Sequence, residues 1–208
     1  VLSTPKDENG VINIDIETAQ ECIQKRALNY EEDGDNHYDT ISAFIKSMRG
    51  SDPDAALYYL AKMLYAGEDP NFIARRIVIC ASEDVGNADP HALQVAVSAA
   101  QAVTFIGMPE SRIILAQAVT YISCAPKSNA SYLGVEKAFH DVRTVKIKSV
   151  PNHLKDSHYP GAKELGHGIG YKYAHDFEGH YVKQQYLPDE LVGTVYYEPT
   201  ENGVEKRI

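Results

Sequence analysis

Apolar residues recur with a helical period along most of this chain, and the recurrence is interrupted at regular intervals. Leu57, Leu60, Ala61 and Leu64 fall at i, i+3, i+4 and i+7; Ile73, Ile77, Cys80 and Ala81 do much the same, with Arg75, Arg76 and Glu83 off that stripe. Pro53, Pro70, Pro90, Pro109 and Pro126 follow one another at intervals of 17, 20, 19 and 17 residues. Asp52, Asp69 and Asp89 precede the first three. Asp caps a helix N-terminus, and Pro suits the first helical position because its missing N–H has no partner there anyway. Gly50, Gly67, Gly86 and Gly107 stand two to four residues ahead of a proline, where glycine ends a helix in a left-handed conformation. Stop, short link and start repeat every few turns, which predicts stacked antiparallel helices with short loops.

Two of these helices, His91–Ile106 and Glu110–Cys124, differ from the others. The first confines its polar residues to His91, Gln94, Ser98 and Gln101. The second points Ile113, Ile114, Leu115, Val119, Tyr121 and Ile122 in several directions. A helix that is apolar nearly all round has to be covered nearly all round. Burial between copies of the chain is therefore expected, with Phe105, Ile113, Ile114, Leu115, Tyr121 and Ile122 as the candidate subunit contacts and Leu115→Asp expected to give smaller particles. Further helices are expected at Asp15–Leu28, at His37–Arg49 (Ile41, Phe44, Ile45 and Met48) and at Asn129–Thr144; Asn29–Asn36 reads as an acidic linker. From Ser149 onward Tyr, His, Gly and Pro crowd in and the period is lost. An irregular arm is expected there, with a short helix at Ala162–Leu165.

The 208 residues suffice for a real core, and 44% apolar with 24% charged is ordinary for a globular protein. The formal charge of −9 argues against a free-standing nucleic-acid binder, whose affinity comes mainly from neutralising phosphates. Cys22, Cys80 and Cys124 are odd in number and set in apolar helices, so buried reduced thiols in a cytoplasmic setting are expected. The longest uncharged run, Pro90–Pro109, contains His91, Gln94, Ser98, Gln101 and Thr104, which a lipid-facing span avoids. No membrane partner is expected. Val1 in place of Met suggests that the sequence begins inside a larger protein.

Candidate chemistry is thin. Gly166-His167-Gly168-Ile169-Gly170 has the look of a phosphate loop, but no Lys-Ser or Lys-Thr follows it and no strand precedes it, so a sharply turning backbone is expected. His153, His158, His167, His175 and His180 match no zinc spacing. His140-Asp141 and His175-Asp176 invite comparison with metal phosphohydrolases of the His-Asp type, although the second pair lies in the arm. Lys46 and Arg49, ahead of Ser51-Asp52-Pro53-Asp54, form a charged junction, read either as a cap with local ion pairs or as a contact to DNA or to an ATPase module. Arg75, Arg76, Glu83 and Asp84 read as an interhelical ion-pair set. No catalytic, metal or cofactor-binding residue is assigned.

The stretch from Asp35 to Gly86 includes Ser47-Met48-Arg49-Gly50-Ser51-Asp52-Pro53-Asp54, Gly67-Glu68-Asp69-Pro70 and Ala81-Ser82-Glu83-Asp84-Val85-Gly86. It resembles the carboxy-terminal region of the replication-associated recombination protein A family, which takes in the bacterial maintenance of genome stability proteins and the Werner-helicase-interacting ATPases. Ala125-Pro126-Lys127-Ser128-Asn129-Ala130, Gly170-Tyr171-Lys172-Tyr173-Ala174-His175-Asp176, Gln184-Gln185-Tyr186-Leu187-Pro188 and Tyr197-Glu198-Pro199-Thr200 extend the likeness over the whole chain. The resemblance implies an all-α fold, the clamp-loader type of oligomerisation region that follows an AAA+ module. It divides the chain into 1–34, the end of the lid (Asp15–Leu28 its last helix) with the acidic linker; 35–148, the helical oligomerisation domain; and 149–208, the irregular Tyr/Gly/His-rich arm packed on it. It further implies a homotetramer, the AAA+ module of the same chain, single-strand-binding protein and DNA as partners, ATP and Mg as cofactors of the full-length parent only, a nucleoid-associated place in a bacterial cytoplasm, and work at stalled forks in replication, recombination and repair. The ATP-binding residues belong upstream of Val1, so the fragment itself is expected to catalyse nothing. Two other readings stand beside this one: a helical adaptor for replication proteins, and the His-Asp phosphohydrolase.

Overall fold

The computed structural model describes residues 34–162 and 164–208. Within these the fold is all-α: α1 Gly34–Arg49, α2 Pro53–Tyr65, α3 Pro70–Cys80, α4 His91–Ile106, α5 Ser111–Cys124 and α6 Ala130–Thr144, with only short 3₁₀ turns after α6. The helix expected at Asp15–Leu28 lies outside the described residues. The bounds expected for the other four helices, His37–Arg49, His91–Ile106, Glu110–Cys124 and Asn129–Thr144, agree with α1, α4, α5 and α6 to within three residues, and the end of the expected acidic linker, from Gly34, is already the first turn of α1.

The punctuation acts largely as its chemistry requires. The Asp52 carboxylate accepts the Ala55 N–H at 2.9 Å, Asp69 accepts that of Asn71 at 2.9 Å, and Asp89 accepts that of His91 at 3.1 Å. Gly67, Gly86 and Gly107 all take positive φ. Gly50 does not; Ser51 takes φ 61° in its place. A Cβ on Gly50 would meet the Lys46 carbonyl at 3.0 Å, so close packing is what that glycine serves.

The described residues form two compact units. The first runs through Ser131 and resumes at Pro199–Ile208. In it α5 is central, packing against α1, α2, α3 and α4. Leu115, Ala118, Val119 and Ile122 join Phe44, Met48, Leu60, Met63, Ile73 and Ile77 in one core. α3 passes directly into a single π turn, Ala81–Val85. The last ten residues seal this unit: Val204 N–H donates to the Ala88 carbonyl at 2.9 Å, and Asn202 Nδ2 donates to the Lys127 carbonyl at 2.9 Å. At Gly203, φ 56°, a Cβ would stand 2.0 Å from the Ala88 oxygen, so no other residue fits. The end of the chain thus packs with the helices of this unit.

The second unit is Tyr132–Glu198. Asp141 accepts the Tyr196 hydroxyl at 2.8 Å, and Lys137 pairs with Glu198. Gly134 backs directly onto the Tyr196 carbonyl. Of the short helix expected at Ala162–Leu165, the described residues 162, 164 and 165 lie in turns. Gly161, Gly166, Gly168 and Gly170 all have positive φ, which reverses the chain too often for a helix to propagate.

Candidate self-association surface

The candidate surface is built by α4 and α5, which lie side by side. α4 turns Ala92, Ala96, Ala99 and Val103 into the core. That stripe covers about one third of its circumference, and the rest of the helix stays open although much of it is apolar. Between α4 and α5 runs a groove of about 540 Å³, with Ala99, Ala102 and Ala118 among its small lining residues and Val95, Ile106 and Ile114 as its larger apolar ones. His91, Gln94 and Gln117 bring polar groups to it.

One end of the groove is rigidly organised. His91 Nδ1 lies 2.8 Å from Gln94 Oε1. Tyr121 donates its hydroxyl to Asp89 Oδ2 at 2.8 Å, and its ring meets that of His91 edge to face at 5.9 Å. The bond to the Asp89 carboxylate raises the pKa of the Tyr121 phenol. The same aspartate therefore caps α4 and holds a side chain of α5. Around the connection between the two helices lies a ridge: Phe105 is 89% exposed, Ile113 64%, and Ile106 and Met108 about half. Leu93 and Val97 add further exposed apolar surface to α4. Large apolar side chains are thus exposed along α4 and at its connection to α5.

The six candidate contacts divide into three groups. Phe105 and Ile113 stand in solvent. Ile114 is half-buried in the groove, and Tyr121 is half-buried and bonded to Asp89. Leu115 and Ile122 have no exposure at all and cannot touch a second copy. They are core residues, because four helices surround α5 within one chain.

The charged junction resolves into local ion pairs. Arg49 Nε donates to Asp84 Oδ1, and its NH2 donates to Glu83 Oε1 at 2.9 Å. Asp84 is 7% exposed. Arg49 is thus engaged within the chain and is not a free phosphate contact, and its charge is further favoured by the bond to Asp84. Lys46 is exposed on α1. The partner of Glu83 and Asp84 is Arg49 rather than Arg75 or Arg76. Arg75 instead lies 3.8 Å from Asp69 and 5.9 Å from the centre of the Phe72 ring. The signal for the pair, two acids 35 residues beyond a basic helix end, has no fixed sequence spacing. Behind Asp84, Cys80 is buried, and burial first and the Asp84 charge second push its thiol pKa up. Cys124, expected to be buried, is exposed; Cys22 lies outside the described residues.

In the second unit the histidines pair locally. Tyr159 Oη and His167 Nδ1 are 2.6 Å apart, His158 Nδ1 is 2.7 Å from Asp156, and the Nδ1 atoms of His175 and His180 are 3.3 Å apart. Among the described residues no three His, Cys, Asp or Glu side chains come together as metal ligands. Gly166, Gly168 and Gly170 form turns, with the Gly168 N–H on the Asn152 carbonyl at 2.8 Å. Among the described residues no helix is long and apolar enough to cross a membrane.

Comparison with known proteins gives this surface its setting. Residues 50–208 match the family described as MgsA AAA+ ATPase C terminal, and residues 1–49 match AAA C-terminal domain. An uncharacterized AAA domain-containing protein of Mycobacterium tuberculosis is 55% identical over 195 residues, which is 94% of this chain and 43% of that protein. Replication-associated recombination protein A of Bacillus subtilis is 50% identical over 203 residues, 98% of this chain and 48% of that protein. ATPase WRNIP1 of Dictyostelium discoideum is 38% identical over 177 residues, 85% of this chain and 20% of that protein. The chain spans less than half the length of each of these relatives. With its all-helical fold and a match over residues 50–208, the chain belongs to the MgsA-type AAA+ ATPase C-terminal family.

Proposed function

We propose that this chain is the tetramerisation region of a DNA-dependent AAA+ ATPase that acts in replication, recombination and repair at stalled forks. The observation that carries this reading is the apolar ridge of Phe105, Ile106, Met108 and Ile113 beside a groove floored by alanine. Small residues let a partner approach closely, and the ridge supplies side chains of a size to enter such a groove. A surface that carries both knob and hole can complement itself across a two-fold axis. One such contact closes a dimer, and a tetramer needs a second contact on each copy.

On this reading the chain catalyses nothing. It holds ATPase modules at fixed spacing and so raises their effective concentration on one DNA. ATP and Mg serve the parent's AAA+ module, and DNA and single-strand-binding protein are partners of the parent. The relatives named replication-associated recombination protein support the pathway.

Light scattering on the purified chain at micromolar concentration tests the proposal. The expected mass is four times the 23.0 kDa of one chain. A mass of one chain at every concentration overturns it and favours an adaptor whose apolar ridge meets a foreign protein. ATP hydrolysis by the isolated chain would contradict the non-catalytic reading.

A further inference from the structure

The match to the AAA C-terminal domain ends at residue 49 and the MgsA-type match begins at residue 50, but the packing does not divide there. α1, within the first match, puts Ile41, Phe44 and Met48 into the same core as Leu60, Ile73, Ile77 and Leu115. Phe44 and Met48 are fully enclosed. α1 touches α2, α3 and α5, all within the second match.

Polar contacts lock the same helix at its end. The turn after it is closed by Gly50 N–H on the Lys46 carbonyl at 2.8 Å and by Asp52 N–H on the Ser47 carbonyl at 3.0 Å. Lys127 Nζ donates to Ser51 Oγ at 3.0 Å and to the Ile122, Ser123 and Ala125 carbonyls at 2.7–3.0 Å, which ties this turn to the end of α5. Arg49 reaches across to Glu83 and Asp84 on the π turn. Asp84 in turn accepts the Ser128 N–H at its carbonyl, at 2.8 Å, so the α5–α6 loop, the π turn and α1 meet at one point. A guanidinium forked between two carboxylates, one of them buried, fixes orientation as well as distance.

We infer that α1 is a strut of the helical unit: the AAA C-terminal domain match takes it in, but its apolar face and the Arg49 clasp lock it to the helices of the second match. Residues 49 and 50 therefore form no hinge, and α1 moves with the helices that follow it. This locking does not rest on the function proposed above. A corollary is that residues 50–208, although they match a family of their own, are incomplete as a folding unit without α1.

Amide hydrogen exchange on the whole 208-residue chain tests the strut, at concentrations above and below self-association as measured by light scattering. The expected result is that the Phe44–Met48 amides exchange within about tenfold of those of Leu60–Met63 and Leu115–Val119, since one cooperative unit opens together. Arg49→Gln is expected to speed exchange in the last turn of α1 and at Glu83–Asp84 together, with Arg49→Lys, which keeps the charge but loses the fork, lying between. Wild-type α1 opening alone, more than about a hundredfold faster than α2 and α5, overturns the strut. Unchanged exchange at both ends in Arg49→Gln overturns the clasp. If that variant fails to fold, the wild-type comparison decides. A chain that stays monomeric yet shows uniform protection overturns the tetramer and leaves the strut standing.

Discussion

Truncating Phe105 tests the proposed surface most directly, because the residue can be removed without touching the core. Its ring is 89% exposed and absent from the buried cluster, so Phe105→Ala should leave the unfolding midpoint of the single chain within experimental scatter. In a contact between copies nearly the whole ring remains to be covered, and burying it fully is worth about 1.5–3 kcal/mol. A two-fold contact holds one such ring from each side. The substitution therefore removes about 3–6 kcal/mol from each contact, which weakens its dissociation constant by about 10² to 10⁴. Sedimentation velocity over a dilution series should show the variant dissociating at correspondingly higher concentration than the wild type. Phe105→Asp should go further, since it also buries an unpaired charge. Wild-type sedimentation by both variants would refute the argument, because it would mean that the ridge stays in water in the assembly. A fall in the midpoint of the monomeric variant would refute it differently, by showing that Phe105 packs within its own chain.

Leu115→Ala should cost about 2–5 kcal/mol in denaturant unfolding, as expected for a fully enclosed leucine; loss of particle mass in that variant would follow from unfolding and would not locate an interface. Gly203→Ala should free the carboxy-terminal segment, seen as faster protease clipping near Pro199, because a Cβ there collides with the Ala88 carbonyl. Cys80 supplies a pH dependence. Its folded thiol pKa is raised by burial and by Asp84, so above pH 9 the unfolded chain releases a proton that the folded chain keeps. Stability should then fall with rising pH, by up to about 1.4 kcal/mol per unit from this group, and Cys80→Ala should remove that slope. Under native conditions near pH 8 a thiol reagent should label the exposed Cys124 and spare Cys80.

Much of the helical unit was legible because its cues are local. Asp52, Asp69 and Asp89 cap the helices they precede, and α4 runs over the residues its pattern indicated. What was not legible depends on assembly in three dimensions. α4 and α5 look alike in sequence, each apolar nearly all round, yet α5 is central with Leu115 and Ile122 enclosed, whereas α4 leaves Leu93, Val97, Phe105 and Ile106 in water. Nothing local separates a helix surrounded by four others from one at the edge. Arg49 likewise finds Glu83 and Asp84 through the packing of α1 against α3, a separation of 34–35 residues that no periodicity encodes. In the arm, four positive-φ glycines between 161 and 170 outweighed a weak helical propensity.

The charges also bear on the proposed function. The chain carries −9, and its most conspicuous basic residue at the junction, Arg49, is held by two carboxylates of its own unit. Freeing that guanidinium for a phosphate would leave Asp84, a carboxylate with 7% exposure, without its arginine partner, and a carboxylate so enclosed is costly to leave unpaired. The arginine therefore stays with its acids. What the unit offers is apolar and geometric: an exposed ridge and groove on α4 and α5, and α1 anchored in the core beneath them. Such a surface can set where other modules stand, and on the proposed function the electrostatic work on DNA falls to those modules.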